Sequence, residues 1–154
     1  MAEKFRIDDT DRKIIAELRR NGRASNQEIA NRLGIGAVTV AARIRRLEEA
    51  DKLRVVAVSD FRVHGYDVLL QVAVEVAGRA AAEVAADLAK LDEVFAVQLV
   101  SGRHDINILV VLKDFSELQD LLFNKLSVIP GIRSMVPAIT VDVVKYNFDI
   151  APIT

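Results

Sequence analysis

The chain has 154 residues, 51% hydrophobic and 28% charged, and no apolar run approaches the roughly 18–20 residues that span a bilayer. Cysteine is absent, which excludes disulfides, thiol catalysis and Cys-based zinc sites; with the charged opening MAEKFRIDDTDRK, this points to a cytoplasmic protein. The net charge of −1 conceals a split: residues 1–62 carry 14 Lys+Arg against 10 Asp+Glu (+4), residues 63–154 carry 7 against 12 (−5), so a half facing an anionic partner is expected to precede a half with another role.

A first helix is predicted after Ile7-Asp8-Asp9-Thr10-Asp11, with Asp8 as its cap and the acids at the positive end of the dipole. Ile14, Ile15 and Leu18 recur at helical spacing, and Asn21-Gly22 is expected to close the helix in the left-handed conformation. Ser25-Asn26-Gln27-Glu28 reads as a capping box opening a short second helix, with Ile29, Ala30 and Leu33 inward, that stops at Gly34. A third helix follows Gly34-Ile35-Gly36 and runs to about Ala50, with Val40, Ile44 and Leu47 on one face. Its opposite face carries Val38, Thr39, Ala42, Arg45, Arg46 and Glu49, with Arg43 on the flank. A short helix, a glycine-bearing turn and a longer helix make a helix-turn-helix pattern.

Leu53 to Val58 (LRVVAV) is β-rich and is predicted to be a linking strand, with Gly65 marking the boundary and residues 60–66 as the hinge region. The domains are therefore expected at 1–52 and 67–154, with 53–66 between them. Beyond the hinge come a strand over Val68–Val76, a helix over Arg79–Leu91, and strands over Val94–Val100 and Ile106–Leu112. Ser116-Glu117-Leu118-Gln119 reads as a second capping box, opening a helix to about Val128; Pro130-Gly131 then turns into a last strand from Ser134 to Lys145. The fold class is α+β, and the order β-α-β-β-α-β is ferredoxin-like. Such a sheet has helices on one face only, and a homodimer is the expected cover for the other.

The chemistry favours DNA for the first half. From Ile29 to Leu47 there is no acidic residue, whereas Arg32, Arg43, Arg45 and Arg46 are present, and an arginine-bearing helix can approach phosphates and enter a major groove. Ser25, Asn26 and Gln27 offer donors to a phosphate at a helix start. Val38, Thr39 and Ala42 can meet thymine methyls and make few hydrogen bonds to bases, so relaxed sequence specificity is expected. In the second half, Ser101-Gly102-Arg103-His104-Asp105 forms a turn between two apolar strands. Its glycine lets a ligand approach the backbone, Asp105 suits an ammonium group or a purely structural cap, and Arg103 suits a carboxylate.

Several features in one order carry a resemblance: Asp8-x-x-Asp11, Asn21-Gly22-Arg23, Arg43-Ile44-x-x-Leu47-Glu48, Gly102-x-x-Asp105 and Pro130-Gly131. From Ile7 to about Lys145 the chain resembles the Lrp/AsnC (feast/famine) transcriptional regulators. The resemblance implies a winged-helix-like helix-turn-helix domain followed by a RAM/ACT-like effector domain. It also implies dimers that assemble into tetramers or octamers, and control of amino-acid metabolism genes. Amino acids or related molecules are the implied effectors, bound near the G-x-x-D turn. The chain departs from the family pattern at Gly36, where a serine is common, and at Asp51 and Arg54, where glycines are frequent. Met135 and Pro137 stand where Thr-x-Thr is frequent, so an apolar wall and a hydrophobic or aromatic effector, or none, are expected.

Two other readings compete. Proteins of similar architecture decarboxylate sirohaem, which would need cationic and histidine side chains in a large pocket; here only His64 and His104 are available. A DNA-organising protein without an effector would share the same basic helix and bind broadly. No cofactor or metal is expected, since His64 and His104 are far apart in sequence and no carboxylates have ligand spacing.

Overall fold

The computed structural model describes residues 5–147, which divide into two compact units, residues 5–58 with 146–147 and residues 59–145. The cut falls inside the stretch read as linker, and the last described residues group with the first unit instead of with the second.

In the first unit, helix α1 (Asp9–Arg20) opens on Asp8, whose side chain accepts the Asp11 N–H while the Asp11 side chain accepts the Asp8 N–H. It does not close on a left-handed Asn21-Gly22 pair. Asn21 is extended at φ −149°, and its Oδ1 accepts the Arg23 N–H at 3.0 Å, so an Asx turn ends the helix. Helix α2 (Asn26–Leu33) carries the predicted Ser25/Glu28 capping box and ends on left-handed Gly34. Helix α3 (Ala37–Glu49) starts at Gly36 with no side-chain cap. Ile14, Leu18, Ile29, Ala30 and Val40 form the core, with Leu33, Ile44 and Leu53 packed against it. Each of these isoleucine, leucine and valine side chains stabilises by about 1.5–3 kcal/mol when fully buried.

Residues 53–58 are not a strand. The first unit offers no other strand among the described residues, so the segment has no ladder to join, and Val55, Val56 and Val58 stand exposed. Within residues 60–66, Phe61–His64 form a 3-10 turn capped by Asp60 and closed by left-handed Gly65.

The second unit is a four-stranded antiparallel sheet in the order β2-β3-β1-β4, from β1 (Val68–Val76), β2 (Val94–Leu99), β3 (Ile106–Leu112) and β4 (Ile132–Ile139). This is the expected βαββαβ ferredoxin-like arrangement. Leu70, Val72 and Val74 of β1 and Ile106, Ile108 and Val110 of β3 share a fully buried core. Val84 and Leu88 of helix α4 (Ala81–Leu88) cover it, with Leu121 and Leu126 of the last helical segment. On the opposite face, Gln71 and Val136 are exposed and Ala73, Asn107 and Leu109 half-buried.

Three boundaries differ from expectation. Helix α4 ends at Leu88, where Lys90 and Leu91 N–H groups bond back only three residues, to Asp87 and Leu88. Ser116 forms no capping box: its N–H donates to Asp114 Oδ1, and Glu117 Oε2 accepts the Lys113 N–H, so Asp114 takes the role two residues earlier. Helix α5 (Glu117–Asp120) then continues as π-helix over Leu121–Leu126. Strand β4 starts at Ile132 and stops at Ile139, which faces Leu70, and Thr140 N–H makes a last bond to the Leu69 carbonyl at 2.8 Å.

Gly131 is required where β4 begins. Its φ is +95°, and an added Cβ would lie 3.0 Å from Val84 Cγ2 and 3.1 Å from Arg79 Cβ. Gly131→Ala is therefore expected to destabilise the second unit by about 2 kcal/mol or more. Gly65→Ala, also at positive φ but with open space around it, should cost less. Thermal unfolding of the two variants ranks them, and equal losses would contradict the steric account.

Candidate nucleic-acid interface and effector site

Helix α3 turns Val40 and Leu47 into the core and leaves Val38, Thr39, Ala42 and Arg45 exposed, Val38 to 85%. At the start of α2, Ser25, Asn26 and Gln27 are exposed as well. The Ser25 hydroxyl is occupied by the Glu28 N–H and carboxylate, and the Gln27 amide donates to Asn31 Oδ1 at 2.8 Å.

Arg43 and Arg46 are placed differently from Arg45. Arg43 Nη1 lies 2.6 Å from Asp8 Oδ2 and 2.8 Å from Asp11 Oδ1. Arg46 donates to Asp11 Oδ2, and its guanidinium lies over the Phe5 ring, 4.9 Å from the centroid. Asp11 is the one fully buried charged side chain among the described residues. It survives burial because three donors satisfy it: the Asp8 N–H, Arg43 and Arg46. Removing one partner from such a buried pair costs about 3–5 kcal/mol, whereas an exposed ion pair contributes at most about 1 kcal/mol. Arg32, also read as basic surface, is tied to Glu17 at 2.9 Å, and Arg20 meets the same carboxylate at 2.8 Å.

The G-x-x-D turn is equally well defined. Gly102 has φ +145°, and a Cβ added there would meet nothing within 4 Å, so its backbone is approachable. Asp105 is bonded into the sheet. Its Oδ2 accepts the Val76 N–H at 2.7 Å, its N–H donates to the Val74 carbonyl, and its carbonyl accepts the Val100 N–H. It thereby fastens the β2–β3 hairpin to the end of β1. Ser101 and Arg103 are exposed and His104 half-buried.

Sequence reasoning missed Glu75 and Ser134. Paired across β1 and β4, they are joined by a hydrogen bond from Ser134 Oγ to Glu75 Oε2 at 2.7 Å. That hydroxyl, followed by the charges of Arg133, His104 and Arg103, holds the Glu75 carboxyl below its ordinary range. The alternation along β1 was readable, but the register that brings Ser134 opposite Glu75 was not. Met135 falls opposite Val74 and packs against the core, on the helix-covered side of the sheet, while Pro137 lies opposite Val72 and is exposed.

A helix-turn-helix unit joined to an antiparallel α+β domain defines a two-part DNA-binding regulator. The AsnC-type helix-turn-helix domain matches residues 7–48, and the Lrp/AsnC ligand binding domain matches residues 66–150. An uncharacterized HTH-type transcriptional regulator of Pyrococcus abyssi is 33% identical over 149 residues, covering 96% of this chain and 94% of that protein. The solved structure of AsnC from E. coli superposes with a TM-score of 0.80 at 26% identity, over 93% of this chain and 97% of that one. A Neisseria meningitidis transcriptional regulator, solved in complex with L-Met, gives a TM-score of 0.84 at 21% identity, over 95% of this chain and 97% of that one, a likeness of fold.

The chain belongs to the Lrp/AsnC family of transcriptional regulators. Its relatives are regulators and not enzymes, which removes the sirohaem decarboxylase reading.

The Asp8 cluster has a pH signature. Hydrogen bonds from the Arg43 guanidinium and the Asp11 N–H lower the Asp8 carboxyl from 3.8 to about 2. The group is depressed in the folded state, so its stabilising effect is complete above its unfolded value and is lost as pH falls toward about 2. Asp8→Asn keeps a good helix cap and loses that titration. Its thermal stability should fall below the parent's near pH 5 and converge with it toward about pH 2. A gap that stays constant over this range would contradict the pairing.

Proposed function

We propose that this chain binds double-stranded DNA with the exposed face of α3 (Val38, Thr39, Ala42, Arg45) and the start of α2 (Ser25, Asn26, Gln27), and regulates transcription from the cytoplasmic nucleoid in response to an amino acid or related molecule. The observation that carries it is the exposed outer face of α3, small and apolar at its start and cationic at Arg45, on a helix whose inner face is core. Such a face supplies few hydrogen bonds to base edges, so much of the affinity comes from phosphate contacts and DNA shape. Homodimers form over the open sheet face, with tetramers or octamers built from them, since Gln71, Ala73, Leu109 and Val136 lie there outside the helix-covered core.

The effector is held by the Ser101–Asp105 turn together with Glu75 and Ser134. Glu75 receives an α-ammonium, and Arg103 with the Gly102 backbone receives a carboxylate, while His104 closes the side of the turn. The neisserial relative solved with L-Met supports an amino-acid ligand. A specifically hydrophobic effector loses its first support, because it rested on Met135 and Pro137 forming the wall, and Met135 packs into the core. A DNA-organising role remains the second reading, favoured by the poverty of hydrogen-bonding groups at Val38 and Ala42.

Fluorescence anisotropy against DNA from upstream of the chain's own gene, with random DNA as control, tests this. Preferential binding that weakens steeply with salt and changes with one amino acid is expected. Glu75→Gln should abolish that response and leave the affinity without amino acid within about twofold. Equal binding to both DNAs, unmoved by any amino acid, would favour the organising role; no binding at low salt would overturn both.

A further inference from the structure

We propose that Arg43 and Arg46 are positioning residues, which fix helix α3 to the N-terminus of α1 through Asp8 and Asp11, and that Arg45 is the arginine of this trio that meets DNA phosphate. The inference rests on the reading of α3 as the DNA-facing helix and goes beyond it, by dividing three neighbouring arginines into two roles.

Four observations carry the division. First, each guanidinium already has an acidic partner: Arg43 Nη1 reaches both carboxylates, at 2.6 and 2.8 Å, and Arg46 Nη2 reaches Asp11. Second, Asp11 is 0% exposed, so an arginine that left for a phosphate would take from a buried carboxylate one of its two counter-charges. Two carboxylates against two guanidinium groups leave the cluster neutral, with no net attraction for DNA. Third, Arg46 is also held by the Phe5 ring. Fourth, α3 begins at Gly36 without a side-chain cap. The start of the helix is therefore weakly fixed by its own sequence, and the ion-paired cluster at its middle and second half supplies a second anchor. Residues 43 and 46 are three apart and share one side of the helix, so together they fix its roll as well as its height. A change in roll would move Val38, Thr39 and Ala42 relative to the bases. The lowered Asp8 carboxyl and raised Arg43 guanidinium agree with this geometry.

The salt dependence of DNA binding separates the two roles, because each phosphate contact adds about 0.9 to the slope of log K against log salt. Arg45→Gln is expected to lower the slope by about one ion. The double variant Asp11→Asn with Arg46→Gln replaces the charged pair by two amides. It is expected to keep the parent slope and to lose roughly tenfold in the ratio of affinities for preferred and random DNA, comparable to one mismatched base pair. A merely structural loss of folded protein would weaken both DNAs alike and leave that ratio intact, which would count against the positioning role. A slope lowered by about one ion in the double variant would make Arg46 a phosphate ligand and overturn the proposal alone. An unchanged slope and affinity for Arg45→Gln would overturn the proposal together with the reading beneath it. A measurement on the parent protein needs no variant to fold: on adding DNA, the side-chain N–H resonance of Arg45 should shift while those of Arg43 and Arg46 stay in place. A comparable shift at Arg43 or Arg46 would overturn the assignment.

Discussion

The buried carboxylate of Asp11 is the contact on which the first unit depends. It closes the capping box of α1 with Asp8 and is the acceptor for two arginines of α3, so helix capping, packing and the orientation of the exposed face meet at one group. Hydrophobic contacts alone would leave α3 freer to roll, because Val40, Ile44 and Leu47 lie along a single stripe. Directional charge-assisted bonds remove that freedom. A small unit with few fully buried aliphatic side chains has little other means of doing so.

The second unit solves a similar problem with backbone register. Asp105 bonds to the Val76 N–H and fixes where the β2–β3 hairpin ends relative to β1. That register brings His104 and Arg103 near Glu75, while the pairing of β1 with β4 sets Ser134 opposite it and Arg133 nearby. The same alternation that fills the core with Leu70, Val72 and Val74 leaves Gln71, Ala73 and Glu75 on the side without helices. The proposed dimer face and the proposed effector cluster are thus products of one strand's two-residue period.

Much of this was readable from local sequence. Ser25 with Glu28, Asp8 with Asp11, and the spans of β1 and β3 follow from capping chemistry and β-rich runs whose signals lie within a few residues. What failed needed a partner distant in the chain. LRVVAV has strand composition but no strand beside it in its unit, and the bounds of β4 follow from its register with β1, in which Ile139 faces Leu70. The exposed side of α3 was correctly read as bearing arginines, yet Arg43 and Arg46 are paired 32 and 35 residues away, a distance no periodicity reports. The Met135 expectation came from a family position, which does not report the register that sets this residue opposite Val74 and against the core. Family membership supplies the regulatory class; the side-chain geometry of this chain supplies the division of labour within it.

Everything proposed for the first unit requires α3 to dock in the major groove. Dimethyl sulfate footprinting of the complex with DNA from upstream of the chain's own gene reads this directly, since the reagent attacks guanine N7 in the major groove and adenine N3 in the minor groove. Docking of α3 should protect guanine N7 in spaced half-sites about one helical turn apart. Protection confined to adenine N3, with every guanine N7 still reactive, would place the protein in the other groove and refute that docking.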